Sequence, residues 1–194
     1  MSPLSGASQG HPIYTIGHSN RRIGEFIALL RGAGIELVID VRTVPRSRAQ
    51  PQFNTEALAR ELADAGCWYE HFPALGGLRA KSRDVPPEVN GLWQNQSFHN
   101  YADYALGDAF RSGLARLREK GQESVCAIMC AEAVWWRCHR RIIADYLIAA
   151  GETVLHILGP NKIERAEFTR GAKVHSDGRV TYPIALIPSK PEKL

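Results

Sequence analysis

The 194-residue chain lacks any apolar run near the ~20 residues that a membrane-spanning helix needs, so no membrane partner is expected. Cysteine is scarce. The four thiols, Cys67, Cys126, Cys130 and Cys138, include no CxxC pair, and the C-x7-C-H spacing of Cys130, Cys138 and His139 fits no usual zinc arrangement, so no metal is expected. A GxGxxG turn, a P-loop, HExxH and GxSxG are also missing. That excludes the signatures of dinucleotide-binding folds, P-loop NTPases, zinc proteases and α/β-hydrolases, and leaves the cofactor unknown. Acid is short relative to base: 20 Asp plus Glu against 24 Lys plus Arg gives +4. A balance this mild suits an anionic ligand but does not by itself identify a nucleic-acid binder.

What is present is ordinary globular material, 44% hydrophobic and 23% charged. A chain this long buries roughly 70% of its unfolded surface without disulfides or metals. Met1 to Gly10 is small and polar, with no charged-then-apolar signal pattern, so the expectation is a cytoplasmic protein with reduced thiols. Residues 1–11 read as a flexible leader, 12–188 as a single α/β domain and 189–194 as a tail.

Hydrophobic runs at 13–17, 35–41, 67–72, 124–130 and 153–158 predict strands. Helical periodicity follows at Ile23, Phe26, Ile27 and Leu30, and at Leu58 and Leu62 after Asn54. It returns over 101–120, broken near Gly107 or Gly113, and over 132–150. Asp177-Gly178 predicts a turn closing a C-terminal β-hairpin. Strands alternating with helices predict one mainly parallel twisted sheet with flanking helices in Rossmann-like layers. The loop over 42–53 is longer than a connection needs, which marks it as functional.

Three buried strands run straight into polar chemistry: His18-Ser19-Asn20 after the first, Asp40 and Arg42 at the end of the second, and Cys130 and Glu132 at 124–130. In a parallel sheet these ends share one edge, where sites form. Convergence of His18, Asp40, Arg42, Cys130 and Glu132 in one cleft is therefore expected. Cys130 before a helix start would have its thiol acidified by the dipole, and would alkylate faster than the other cysteines. Cys126 and Cys138 read as core. Glu132 and His139, seven apart, would line one wall of a pocket from a single helix. Arg42 and Arg140 would hold an anion, with Ser19 and His139 beside them.

Thr15-Ile16-Gly17-His18-Ser19, Asp40-Val41-Arg42 with Pro45 and Ser47, Leu75-Gly76-Gly77, and Met129-Cys130-Ala131-Glu132 followed by Cys138-His139-Arg140-Arg141 carry a resemblance. In order and spacing, from about 13 to 158, the chain resembles the family called domain of unknown function 488. The resemblance implies an α/β domain and supplies no reaction.

Three functions remain open on the sequence. The first is an enzyme acting on a small or nucleotide-like anionic substrate, with His18 or Glu132 as acid or base, Asp40 orienting a partner and Cys130 as nucleophile or anion-site thiol. The second is a non-catalytic nucleotide or nucleic-acid binding module, using the Arg-rich loops, with bases stacked on Trp or Tyr beside Arg. The third is a thiol-based redox or regulatory protein. The oligomeric state is left open.

Overall fold

The computed structural model describes residues 10–184, so most of the expected leader and all of the expected tail lie outside the described residues. The chain forms a single mixed α/β domain around a six-stranded sheet, with a separate two-stranded C-terminal hairpin. The strands are β1 (Ile13–Gly17), β2 (Leu37–Asp40), β3 (Trp68–His71), β4 (Cys126–Cys130), β5 (Val154–Gly159) and β6 (Lys162–Arg165). The hairpin pairs β7 (Lys173–Val174) with β8 (Val180–Thr181). The helices are α1 (Ile23–Gly32), α2 (Thr55–Asp64), α3 (Gln96–Ala105), α4 (Asp108–Glu123) and α5 (Arg140–Ala149). None of the described helices is long and apolar enough to cross a membrane.

Spatial order in the sheet is β3-β2-β4-β1-β5-β6, parallel except for the antiparallel edge strand β6. Side chains alternate between two cores. Val38, Ala127 and Met129 pack with Phe26 and Leu30 of α1 and Leu58 and Leu62 of α2. Leu37, Ile39, Cys126, Ile128 and Cys130 pack with Tyr101, Phe110, Ile142, Ile143 and Leu147 from α3, α4 and α5. Chain direction diverges between the neighbours β1 and β4: β1 continues through α1 to β2 on one side, and β4 through α5 to β5 on the other. A crevice at the carboxyl ends of such diverging strands is where ligands bind in open α/β sheets.

Most predicted elements form, including the break at Gly107 and the hairpin turn, where Gly178 takes a φ of 82° and Asp177 Oδ1 accepts from Arg179 N. Three features differ. The α3 helix starts five residues before the expected 101, because the Asn95 side chain accepts from Ser97 N and Phe98 N and so caps it early. The exposed edge strand β6 carries no buried face and left no hydrophobic signal.

The third difference matters most. The helix expected over 132–150 begins only at Arg140. Residues 131–139 form a loop with one 3-10 turn at Trp135–Arg137. Carbonyls that would start a helix are used elsewhere: Ala131 O accepts from Ser19 N at 2.9 Å and Glu132 O from Arg140 Nη2 at 2.6 Å. Gly17 makes this crossing feasible, since a Cβ there would fall 1.8 Å from Glu132 O.

Candidate functional site

The register joins the expected motifs. Gly17 pairs with Cys130 and Asp40 with Met129, so β1, β2 and β4 end together. Beyond them His18 N donates to Cys130 O and Val41 N to Met129 O, both at 2.9 Å. A cavity of about 410 Å³ opens at this edge. Its walls come from Arg42, Thr43 and Val44 after β2, Cys130, Ala131 and Glu132 after β4, and Cys138 and His139 at the start of α5. Gly77, Leu78, Asn95, Ser97 and Phe98 complete the lining. The mouth is apolar at the exposed Val44 and Leu78 and cationic at the exposed Arg137. Arg137 forms no ion pair among the described residues.

The acid and base candidates divide into a wall and a backing. Asp40, fully buried, chelates Arg42: Oδ1 accepts from Nε at 2.9 Å and from the Arg42 backbone N at 3.0 Å, and Oδ2 accepts from Nη2 at 2.5 Å. Tyr69 Oη donates to the same Oδ2 at 2.8 Å, and Arg42 Nη2 also reaches Phe53 O at 2.7 Å. His18 lies flat on Phe53, with ring centroids 4.2 Å apart. Its Nδ1–H donates to Ser19 O at 2.9 Å, and its Nε2 accepts from Arg42 Nη1 at 3.3 Å. Burial, reinforced by the Arg42 charge, pushes this imidazole down to about 4 against the pull of the Ser19 carbonyl. It is neutral at pH 7, with both nitrogens engaged. Ser19, in the left-handed region at φ 49°, contacts only Asn20 through its hydroxyl and does not line the cavity.

The sulfur chemistry sits on the wall. Cys130 and Cys138 are both free thiols, with Sγ atoms 2.8 Å apart. The late start of α5 puts Cys138, and not Cys130, at that helix's N-terminus, just before the cap residue His139. Donors converge on Cys138 Sγ: Arg140 N at 3.5 Å, Arg140 Nε at 3.4 Å and the Cys130 thiol, while His139 Nδ1 lies 3.5 Å from the same sulfur. His139 Nε2–H is committed to Val41 O at 3.0 Å, which turns Nδ1 toward the sulfur. Gly77 keeps the ring in place, because a Cβ there would lie 2.4 Å from Nδ1.

Burial opposes ionisation of Cys138. The Cys130 S–H, the His139 imidazole and the Arg140 guanidinium outweigh it and hold this thiol well below the ordinary cysteine range. Cys130, buried and donating to its neighbour, is pushed well above that range.

Arg140, 1% exposed, does not line the cavity. It faces Cys138 Sγ, Glu132 O and, at 3.4 Å from Nη1, Thr15 Oγ1. Thr15 Oγ1 is in turn 2.7 Å from His156 Nδ1, and the His156 ring stacks on Trp135 at 4.5 Å. Burial, then the Arg140 charge, pushes His156 down to about 4.

Of the residues chosen from sequence, Arg42, Cys130, Glu132 and His139 reach the cavity, while His18, Ser19, Asp40 and Arg140 stand behind it. Glu132 and His139 meet there across a loop and not along one helix. Cys138, buried in the core as expected, also lines the wall, and Arg137 joins it there. The apolar pattern Ile142, Ile143, Tyr146, Leu147 fits a helix starting at 140 as well as one starting at 132. The run Val134-Trp135-Trp136, bulky and β-branched or aromatic, was the local sign of a break.

No curated protein and no solved structure matches the chain. The profile of the family described as "Domain of unknown function DUF488" matches residues 22–147. That span holds both cysteines of the cavity wall, His139 and Arg140, and covers well over half of the sequence, so the chain belongs to the DUF488 family.

Proposed function

We propose that this protein is an enzyme that attacks a small anionic substrate with the Cys138 sulfur as nucleophile. One observation carries the reading: a buried sulfur on a cavity wall receives hydrogen bonds from a helix-start amide, a guanidinium and a second thiol, with an imidazole nitrogen 3.5 Å away. Packing alone does not need three donors aimed at one sulfur. Together they favour the thiolate, which is the reactive form. The role expected of Cys130 therefore passes to Cys138.

The substrate class follows from the opening. Arg137 at the mouth and the start of α5 favour negative charge, with Glu132 the single carboxylate on the wall among the described residues. The volume is in the range of small-molecule sites, roughly 300–1,000 Å³. His139 holds its Nδ1 against the sulfur, and Asp40, through Arg42 and His18, fixes the loops that frame it.

A brief iodoacetamide pulse with peptide mapping tests the reading. Cys138 is expected to label first, well ahead of Cys67, Cys126 and Cys130, and to keep reacting below pH 7. Phosphate, sulfate or a nucleotide should protect it in wild type and protect Arg137→Ala about tenfold less, as the loss of one charge-assisted contact implies. Unlabelled Cys138 in the folded protein would sink the nucleophile. Equal protection of both proteins would sink the anion site.

A further inference from the structure

If Cys138 attacks a substrate, something must release what it picks up, and the surroundings limit the candidates. Hydrolysis needs a base placed to activate water. His18 has both ring nitrogens engaged, by Ser19 O and Arg42. His139 has Nε2 on Val41 O and Nδ1 on the sulfur itself. The Glu132 carboxylate makes no hydrogen bond or ion pair to any of these groups among the described residues; it is the backbone of Glu132 that touches Cys130 and Arg140. The nucleophile already in contact with Cys138 is the second thiol, Cys130, at 2.8 Å. A disulfide brings two sulfurs to about 2.05 Å, a small further approach for a strand-end residue and a loop residue with seven residues between them.

Resting on the nucleophile proposed above, we infer that Cys130 is the resolving thiol of a Cys130–Cys138 redox pair, and that the site performs thiol–disulfide exchange with small anionic disulfides. The Cys138 thiolate attacks one sulfur of RS–SR. A new S–S bond forms, the old one breaks, and RS⁻ leaves. The Cys130 S–H then gives up its proton to that RS⁻. Its sulfur attacks Cys138 Sγ, the mixed disulfide breaks, and a second RS⁻ leaves. One thiolate and one thiol of the protein become one disulfide, and RS–SR becomes RSH and RS⁻, a two-electron transfer that conserves charge and protons. Excess small thiol drives the same exchange backwards.

The asymmetry of the pair fits these roles. The sulfur surrounded by Arg140 and His139 is the better thiolate for the first attack, and the one that donates its proton is positioned for the second. The cationic mouth and apolar lip suit a substrate larger than a peroxide, which needs neither.

The test uses the reduced full-length chain with glutathione disulfide, a disulfide carrying several carboxylates, acid-quenched and peptide-mapped. Wild type is expected to lose two hydrogens and to yield a Cys130–Cys138 cross-linked peptide that dithiothreitol reverses. Cys130→Ser, and Cys130→Ala as a second variant, should stall with one glutathione on Cys138. Cystamine, a cationic disulfide, should react at least about tenfold more slowly, the value of one charge-assisted contact. If wild type also stalls as a stable Cys138 adduct, the resolving role is overturned while the nucleophile survives. If neither wild type nor variant forms an adduct and iodoacetamide also spares Cys138, the nucleophile fails as well. A cross-link formed with tert-butyl hydroperoxide but not with glutathione disulfide overturns the substrate class, and cystamine reacting as fast overturns the anionic preference.

Discussion

Two buried arginines face opposite sides of the same sheet edge and are balanced in different ways. On the α1–α2 side Arg42, 7% exposed, is chelated by Asp40, and the chain of contacts continues through His18, which stacks on Phe53. On the α5 side Arg140, 1% exposed, pairs with no carboxylate among the described residues. Its chain runs through Thr15 to His156, which stacks on Trp135, and at the other end to the sulfur of Cys138. Both arrangements use a guanidinium, a neutral histidine and an aromatic ring. They differ in the anion. A carboxylate beside arginine is ionised and satisfied whatever else happens. A sulfur in that place is an anion only because the arginine, the imidazole and the helix start stabilise its charge. The first arrangement holds loops in position, and the second, on the function proposed above, keeps a reactive group ready. A buried arginine without an acid thus marks the chemistry more clearly than one with an acid.

The largest expected effect separates the two sides by stability. Removing one partner of a buried ion pair leaves the other charge uncompensated and costs about 3–5 kcal/mol. Asp40→Asn should therefore lower the unfolding free energy by that amount in urea titrations. The pH midpoint of Cys138 alkylation in the folded variant should not move. A normal urea midpoint would mean that Arg42 finds another counter-charge. A displaced alkylation midpoint would mean that the two sides act as one unit.

The reverse pattern is expected of Arg140→Gln. A charge-assisted hydrogen bond contributes about 1.5–3 kcal/mol. At 1.36 kcal/mol per unit, its loss should raise the Cys138 alkylation midpoint by about one to two pH units. The sign follows from the charge: without the cation the thiolate is less favoured. Arg140→Lys, which keeps the charge but not the planar fork, should fall between the two. If the midpoint stays put while stability falls as it does for Asp40→Asn, Arg140 is a structural ion and the distinction drawn between the two sides collapses.

The α1–α2 side was legible in the sequence and the α5 side only in part, for a physical reason. Asp40, Arg42 and His18 each follow immediately from a strand whose apolar run fixes its end within a residue. Parallel pairing then brings those ends together. Cys130 was fixed in the same way. Cys138 depends on where α5 begins, and that is decided by tertiary contacts: Glu132 O accepts from Arg140, Trp135 stacks on His156, and Gly17 leaves room for the loop to cross. Periodicity over 132–150 fits both starting points, so Cys138 was rightly placed among buried core residues, while its position on the cavity wall was hidden by an eight-residue error in one helix boundary. The contacts of α3 with the cavity were missed for the same reason, since its early start rests on the Asn95 cap.

The smallest expected effect compares the two histidines. Burial, with Arg42 beside one and Arg140 beside the other, pushes both His18 and His156 from 6.5 down to about 4. Folding therefore favours the neutral ring. Above about pH 6.5 the ring is neutral in both folded and unfolded chains, and its full contribution is present. As pH falls from 6.5 toward 4 the unfolded chain takes up a proton that the folded one refuses, and stability is lost. Below 4 the loss levels off. Each histidine should add its own slope over this window, so replacing one ring with a group that does not titrate should remove about half of the histidine share of the slope. His156→Phe keeps an aromatic partner for Trp135, and Thr15 keeps its bond from Arg140, which makes it the cleaner replacement. Urea titrations at pH 7 and pH 5 should show a smaller drop for His156→Phe than for wild type. An unchanged drop would mean that His156 protonates in place and that the Thr15–Arg140 side relaxes to accept the charge.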